Sequence, residues 1–290
     1  EELPDFIGDN GYFSSIFDFA TTSWGKNDKG WYANERITPD AYKQCYFHSQ
    51  KKIGDVGFYS NIIENHDEPR GVSYYIPEGD LCDESKKMLA ALYFFMRGLP
   101  FIYQGQEIGM ENLGVIPIEK IDDISALDQY KVCLDAGYTK EEALKIVSLY
   151  NRDNARTPVQ WNDEKNAGFT TGTPWIKVNP NYLQINAKAA LEDKDSVFYY
   201  YQKLIQMRKE YEIIVDGIFE GLLEDDENIY AYQRKLGNQT LIVACNFSDK
   251  KVPCTLFGGA AGGKEMISNY KNHETGILKP YEARVVLIEN

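Results

Sequence analysis

Three short apolar stretches alternate with helical patterns in the first part of the chain. They lie at residues 12–19, at the start of 58–70 and at 99–103, and each has the length and the aromatic or apolar content of a strand, the second that of a buried one. Thr38 and Pro39 mark a helix start, and residues 81–97 carry apolar side chains at helical spacing. The repeated order of strand, loop and helix predicts a parallel sheet with helices outside it.

The middle of the chain lacks strand patterns. Residues 119–150 are acidic and helical in pattern, whereas residues 151–175 are rich in Asn, Asp, Gly, Pro and Thr. The second composition predicts a long functional loop without regular structure. Asp195 and Ser196 then precede a helical pattern that runs through Glu210. We therefore expect an elaborated loop after the third strand, followed by one more helix.

Beyond residue 211 the pattern changes to short β segments separated by turns. These segments lie at residues 229–236, 240–247, 251–257 and 283–288. The predicted fold class is α/β with an appended β domain. We divide the chain into an α/β domain over residues 1–213 and a small antiparallel β domain over residues 214–290.

Composition and charge exclude several classes of partner. The chain has 290 residues, of which 43% are hydrophobic, so it can bury a substantial core. Its net charge of −13 would repel phosphate backbones and anionic membrane surfaces, so we expect no nucleic-acid partner. No apolar run reaches 18 residues, so we predict no membrane span.

Cysteine usage bears on metal binding and on the compartment. The five cysteines are widely spaced and form no paired motif typical of a metal site. Reduced, structural thiols in the cytoplasm are the better interpretation. No methionine precedes Met88, so we expect the native protein to extend upstream of Glu1.

Polar residues directly follow the second apolar stretch. Residues 65–70 read NHDEPR, which brings a carboxylate, an imidazole and a guanidinium within one turn at a predicted strand end. In an α/β barrel, catalytic residues lie at the carboxyl ends of the strands. Arg152 and Arg156 in the long loop can form forked hydrogen bonds to carboxylates or hydroxyls. A purely structural cluster and a salt bridge that pins the loop remain alternatives.

Four long motifs carry a family resemblance. They are NHDEPR at 65–70, FIYQGQEIGM at 101–110, RDNARTPVQW at 152–161 and GFTTGTPWIKVNPNYLQINA at 168–187. Together they resemble the α-amylase superfamily of glycoside hydrolases, most closely its oligo-1,6-glucosidase and α-glucosidase branch. The resemblance covers essentially the whole chain. It implies the C-terminal part of a (β/α)₈ TIM barrel followed by a small antiparallel β domain.

The resemblance also implies residue roles in a retaining mechanism. Asp67 matches the family's third catalytic carboxylate, which fixes the sugar at the reacting subsite, and His66 matches the neighbour that binds the same glucose. Arg152 matches the loop arginine of that subsite, and Arg156 is a second candidate for substrate binding. We expect an oligosaccharide substrate, no cofactor and no metal site.

The sequence lacks a match for two catalytic residues of the family that it resembles. The family's nucleophile and general acid follow barrel strands four and five, and this chain matches the family only from just after strand five. Asp5, Asp9 and Asp18 lack the flanking residues of that pair, and Gln106 stands where the family usually has Glu. We therefore expect the isolated chain to be inactive, with the N-terminal half of the barrel as a candidate partner.

The predicted function is part of a retaining α-glucosidase that hydrolyses α-1,6 linkages, α-1,4 linkages or both in short gluco-oligosaccharides. Two alternatives remain open. One is a non-catalytic relative that keeps the amylase fold, although such proteins typically lose the His-Asp pair that this sequence retains. The other is an enzyme of the sucrose isomerase or trehalose-6-phosphate hydrolase type, which shares the same C-terminal motifs.

Overall fold

A three-stranded parallel sheet organises the first hundred residues. In the computed structural model, which describes residues 2–257 and 263–289, its strands are β1 (Ser15–Phe17), β2 (Phe58–Asn61) and β3 (Leu99–Pro100). β2 lies in the middle and pairs in parallel with both neighbours. All three strands occur where the sequence predicts them, but each is shorter. β3 is short because the chain turns away after the Phe101 N–H donates to the Asn61 carbonyl at 2.9 Å.

Helices follow and flank these strands. The Thr38 side chain accepts a hydrogen bond from the Ala41 N–H and Pro39 takes the first helical position, as the sequence predicts. The predicted helix over 81–97 is confirmed with narrower bounds. The α-helices are α1 (Leu3–Phe6), α2 (Ala20–Ser23), α3 (Pro39–Ile53), α4 (Gly71–Tyr75), α5 (Asp83–Phe94), α6 (Ile124–Asp135), α7 (Lys140–Tyr150), α8 (Asp153–Arg156), α9 (Ala187–Glu192), α10 (Val197–Glu210) and α11 (Glu212–Asp216).

The long excursion after β3 is more ordered than its composition predicts. α6 and α7 confirm the helical pattern of residues 119–150. The prediction of no regular structure over 151–175 is wrong, because α8 lies there together with a 3-10 helix at Lys165–Gly168. Other 3-10 helices lie at Trp31–Ala33, Glu78–Asp80, Gln106–Ile108, Ile118–Lys120 and Pro180–Leu183. The buried Asn154 fixes the loop, since its Oδ1 accepts from the Leu113 N–H at 2.8 Å and its Nδ2 donates to the Ser148 carbonyl.

An antiparallel sheet follows α11. Its spatial order is β4 (Ile218–Leu222), β5 (Ile229–Leu236), β6 (Gln239–Asn246), β10 (Ala283–Glu289) and β8 (Lys264–Ser268). A separate pair joins β7 (Val252–Pro253) to β9 (Ile277–Leu278). β5, β6 and β10 were predicted, whereas β4 and β8 were not. The predicted segment 251–257 contains only the two residues of β7.

Helix α5 lies in the common core of the two parts. Residues 88–96 are almost completely buried, and the antiparallel sheet contacts this helix. The fully buried Arg234 of β5 donates to the Phe95 carbonyl at 2.7 Å and to the Gly217 carbonyl. Burial lowers the pKa of Arg234 to about 10, so the guanidinium remains charged at neutral pH. These bonds fasten the β domain to the end of α5.

The cysteines are all unpaired. Cys133, Cys245 and Cys254 are buried, and burial raises the pKa of each thiol. Their packing is that of small apolar side chains, as predicted. In the two described ranges, no helix combines the length and apolar character needed to cross a bilayer.

Candidate active site

A cavity of about 380 Å³ opens at the carboxyl ends of the three parallel strands. Its wall combines exposed aromatic rings with a row of polar side chains that follow β2. This is the position at which barrel enzymes keep their catalytic residues. The lining residues are Phe17, Phe19, Ile62, Glu64, Asn65, His66, Asp67, Glu68, Phe101, Ile102 and Tyr103.

Asp67 projects its carboxylate at the mouth of this cavity. The Asn65 side chain accepts a hydrogen bond from the Asp67 N–H at 2.7 Å, which forms a tight turn just beyond the buried strand end. The Asp67 side chain is 56% exposed, and the neighbouring His66 side chain is 70% exposed. The His66 Nε2 lies 3.2 Å from the Asp67 Oδ2. Both side chains are therefore open to a ligand.

Arg156 binds both residues of the His-Asp pair. Its Nη2 donates to the Asp67 Oδ1 at 2.9 Å, and its Nε donates to the His66 carbonyl at 2.9 Å. This fork spans 89 residues of sequence and brings α8 against the loop that follows β2. The predicted site residues Asp67, His66 and Arg156 thus lie together.

Arg152 lies at the edge of the same cluster and has a stronger partner. Its Nη1 is 3.7 Å from the Asp67 Oδ1, while its Nε donates to the Asp123 Oδ1 at 2.9 Å and its Nη2 bonds the same oxygen. Burial favours the neutral form of Asp123, but these hydrogen bonds outweigh it and lower the Asp123 pKa. Arg152 therefore both pins the loop and presents a guanidinium toward Asp67, so the two interpretations from sequence are compatible.

A buried ion pair between Glu64 and Arg70 stabilises the loop that carries His66 and Asp67. Glu64 and Arg70 have essentially no exposed side-chain surface, and their Oε1 and Nη1 atoms are 3.0 Å apart. The Glu64 Oε2 also accepts from the Gly71 N–H at 2.6 Å, and the Arg70 Nη1 donates to the Gln104 carbonyl at 2.7 Å. Burial raises the pKa of Glu64, with Arg70 and the Gly71 N–H opposing the shift. This pair fixes both ends of the segment that carries His66 and Asp67.

A second groove adjoins the cluster on the side of the excursion. Its volume is about 360 Å³, and Asp67 and Arg152 line it together with Trp31 and Tyr150, whose ring centroids are 5.7 Å apart. Glu68 also lines this groove and pairs with the Lys26 Nζ at 3.2 Å. Burial raises the pKa of Glu68, and Lys26 partly opposes that shift.

Gln106 has a structural role that fits an amide. Its Nε2 donates to the hydroxyls of Tyr93 at 2.9 Å and Tyr201 at 2.7 Å, and its Oε1 accepts from the Tyr103 N–H at 3.1 Å. A carboxylate at this position could accept bonds but could not donate them. The substitution of Gln for the usual Glu is therefore accommodated by two buried tyrosines that accept from it.

Three residues around the cluster were not singled out from the sequence. Glu64 shows one signal, a charged residue inside an apolar run, which is typical of a buried ion pair. Asp123 shows no such signal in the sequence, because it lies 29 residues from Arg152 and only the folded chain brings the two side chains into contact. Tyr103 donates to the Ala155 carbonyl at 3.0 Å and joins the end of β3 to α8.

Within the described residues, no group of three His, Cys, Asp or Glu side chains is arranged to hold a metal ion.

Known proteins share this arrangement of elements. Residues 8–217 match the α-amylase catalytic-domain family. The oligo-1,6-glucosidase of Halalkalibacterium halodurans is 46% identical over 250 residues, which are 83% of this chain and 44% of that protein. The solved trehalose-6-phosphate hydrolase of Bacillus licheniformis has a TM-score of 0.92 at 35% identity, over 100% of this chain and 54% of its own. The trehalulose synthase of Pseudomonas mesoacidophila MX-45 has a TM-score of 0.89 at 31% identity, over 99% of this chain and 53% of its own.

These matches bear on fold class and on length. The chain spans about half the length of the relatives that it matches. The predicted fold class, the C-terminal part of a (β/α)₈ barrel followed by a small antiparallel β domain, is confirmed by the family match and the structural superpositions. The domain boundary at residue 214 stays a prediction.

Proposed function

Because the chain belongs to the α-amylase catalytic-domain family, we propose that it forms the substrate-binding side of a retaining α-glucosidase active site. The proposed reaction is hydrolysis of α-1,6 linkages, α-1,4 linkages or both in short gluco-oligosaccharides. The observation that carries the proposal is the Asp67 carboxylate at a strand end, bracketed by Arg156 at 2.9 Å and His66 at 3.2 Å. The name oligo-1,6-glucosidase of similar proteins supports the choice of linkage.

Asp67 is proposed to hold the sugar on which the reaction occurs. Its carboxylate accepts hydrogen bonds from two adjacent hydroxyls, while the His66 ring and the Arg152 guanidinium contact the same sugar. Bonds of this kind accelerate the reaction when they strengthen as the sugar distorts toward an oxocarbenium-like state. The rings of Phe101 and Tyr103 in the cavity wall offer an apolar surface for the C–H face of the sugar.

The nucleophile and the general acid are proposed to come from outside these 290 residues. A retaining glycosidase needs two carboxyl groups about 5–5.5 Å apart across the scissile bond. Of the other carboxylates in the cavity wall, Glu64 is buried against Arg70 and Glu68 is paired with Lys26. Asp18 directly after β1 accepts from the Ala20 N–H at 3.0 Å, which closes a tight turn at the strand end.

Further barrel strands are proposed to complete the site. Phe17 and Phe101 are each 46% exposed and stack edge to face with ring centroids 5.1 Å apart. In the described part of the chain, β1 and β3 pair only with β2, so each leaves one edge without a partner strand. An exposed aromatic face between two open parallel edges fits a second half-barrel, because closure would cover the rings and pair both edges.

Hydrolysis of p-nitrophenyl α-glucoside tests the proposal. The protein with its native flanking sequence should release nitrophenol, and the 290-residue chain alone should not. Activity should return when the chain is co-expressed with the upstream half of the barrel and the two copurify. Turnover by the chain alone would contradict the assignment of the catalytic pair to another segment. No turnover by the protein with its native flanking sequence would favour a non-catalytic relative.

Natural substrates separate the proposed specificity from the alternatives. Isomaltose and maltose should be hydrolysed faster than trehalose 6-phosphate, and sucrose should give no isomer. A preference for trehalose 6-phosphate or isomerisation of sucrose would support the other enzyme types instead.

A cytoplasmic location is proposed from the five unpaired cysteines, three of them buried, since free thiols persist in a reducing compartment. Cell fractionation with an antibody against the chain would test it.

A further inference from the structure

The Asp123 carboxylate binds both the backbone and the side chain of Arg152. Its Oδ2 accepts from the Arg152 N–H at 3.1 Å, and its Oδ1 accepts from the Arg152 Nε at 2.9 Å and also from Nη2. The Ser125 Oγ accepts a further bond from the same Nη2 at 3.0 Å. The Asp123 side chain has essentially no exposed surface, so little water competes for these bonds. The main chain and the guanidinium of Arg152 are therefore fixed together.

These bonds leave one nitrogen of the guanidinium available to a ligand. Among residues 2–257 and 263–289, the Arg152 Nη1 donates no hydrogen bond, and it lies 3.7 Å from the Asp67 Oδ1. That distance is too long for a direct hydrogen bond, but a hydroxyl oxygen about 2.8 Å from both atoms fits beside them. Such a hydroxyl accepts from Nη1 and donates to the Asp67 carboxylate. Both residues line the groove of about 360 Å³ that adjoins the cavity, so a sugar has access to this position.

The helical excursion after β3 holds Asp123 in turn. The Asp123 Oδ1 accepts from the Ser125 N–H at 3.0 Å and caps the start of α6. The Asp123 N–H donates to the Oδ2 of the buried Asp153 at 3.2 Å. Helices α6 and α7 enclose a small apolar core of their own, which includes the fully buried Ala126 and Val147. A capped helix, a buried carboxylate and an apolar core therefore keep Asp123 in one orientation.

We propose that Asp123 is a positioning residue for the reaction, which orients Arg152 so that its Nη1 meets a hydroxyl of the sugar held by Asp67. This inference rests on the proposed function, because it takes the contact between Arg152 and the reacting sugar as its premise. A free arginine side chain samples many rotamers. Fixing one of them before the substrate arrives removes that entropic cost from the transition state. The excursion thus contributes to catalysis through Arg152 without touching the sugar.

Steady-state hydrolysis of p-nitrophenyl α-glucoside by four proteins tests the proposal. They are the unaltered protein, Asp123→Asn, Arg152→Ala and the double variant, all with native flanking sequence. Asn keeps the size of the side chain and is an equally good helix cap, so α6 should still form. Asp123→Asn alone should lower kcat about tenfold and change KM less than about twofold, because the lost contact strengthens in the transition state. In the Arg152→Ala background, the same change should lower kcat less than about twofold, because residues that act through one another are not additive.

Two further variants separate positioning from folding. Ser125→Ala removes only the second acceptor of the Arg152 Nη2 and leaves the Asp123 contacts in place, so kcat should fall about threefold at an unchanged thermal midpoint. Asp128→Asn is the matched control, because Asp128 is an exposed aspartate of α6 that pairs with Lys131. Its kcat and KM should equal those of the unaltered protein. Equal losses in Asp123→Asn and Asp128→Asn, or the same loss from Asp123→Asn with and without Arg152, would overturn the proposal.

Calorimetric titration with deoxynojirimycin, a glucose mimic, distinguishes failure of this inference from failure of the proposed function. If the unaltered protein binds the mimic without turning over the glucoside, the hydrolytic function is wrong, and the same four proteins compared by Kd decide the positioning role. Non-additive losses of affinity would support that role, and additive losses would overturn it. If the glucoside is hydrolysed and Arg152→Ala leaves kcat/KM unchanged, the positioning role is overturned while the hydrolytic function stands. Neither turnover nor binding would overturn both.

Discussion

Replacing Glu64 by glutamine should destabilise the protein far more than the same change at Glu68. Glu64 is buried, and it holds the equally buried Arg70 at 3.0 Å. The glutamine amide would keep the shape of the side chain but leave the Arg70 charge unpaired, which costs about 3–5 kcal/mol for a buried pair. The Glu68 pair with Lys26 has side chains that are 22% and 45% exposed, and a partly exposed pair contributes about 0–1 kcal/mol.

Urea unfolding of the three proteins measures this difference. With a urea dependence of about 2 kcal/mol per molar, Glu64→Gln should lower the unfolding midpoint by about 1.5–2.5 M, whereas Glu68→Gln should lower it by less than about 0.5 M. Both variants replace a glutamate by glutamine in the segment that follows β2. Glu68→Gln therefore controls for any effect on the unfolding midpoint that does not depend on the buried pair. A loss for Glu64→Gln no larger than that for Glu68→Gln would refute the structural role of the buried pair.

Three further predictions concern the arginine contacts and the cavity wall. The unaltered protein should have a higher free energy of unfolding than Asp123→Asn, and this difference should be largest above about pH 5 and should shrink as the pH falls below about 3.9. The reason is that the pKa of Asp123 is lower in the folded state than in the unfolded state. Equal differences at pH 7 and pH 3 in urea unfolding would contradict this. Arg156→Lys should lower kcat/KM about tenfold at unchanged stability, since an ammonium cannot span both acceptors of the guanidinium fork; steady-state kinetics would detect the loss, and unchanged kcat/KM would contradict the fork. Phe101→Ser should weaken copurification with the upstream half of the barrel, and equal recovery in a pull-down would contradict the proposed covering of that face.

Local signals in the sequence were sufficient for the long helices α3, α5, α6, α7 and α10 and for the strands of the parallel sheet. The short helices α1, α2, α4, α8, α9 and α11 were not predicted, because four to six residues are too few to show a helical period. Thr38 and Pro39 define the start of α3 by their own chemistry, so no tertiary information was needed. The predicted strands were too long because buried apolar residues continue along the chain after the last residue that pairs with a neighbouring strand. Ile62 and Ile63, for example, are buried but lie beyond the end of β2. β8 was missed because its exposed residues, such as Lys264 and Glu265, carry no apolar alternation.

The contacts of the candidate site depend on separations that no local pattern reveals. Asp67 and Arg156 are 89 residues apart, and their proximity could be expected only from the resemblance of their motifs to one family. Asp123 lies in an acidic stretch where a single carboxylate that binds an arginine cannot be distinguished from its exposed neighbours. The order of the 151–175 loop likewise comes from buried amide contacts such as those of Asn154, which composition does not encode.

The most direct measurement compares Asp67→Asn with the unaltered protein, both with native flanking sequence, on p-nitrophenyl α-glucoside. Asn keeps the size of the side chain and the hydrogen bond that the Asp67 backbone donates to Asn65, so the folded structure should be retained. If Asp67 holds the reacting sugar, kcat/KM should fall by about a thousandfold, the upper end of the range for loss of one polar group that stabilises the transition state. An unchanged kcat/KM with an unchanged unfolding midpoint would contradict the assignment of this carboxylate to the active site.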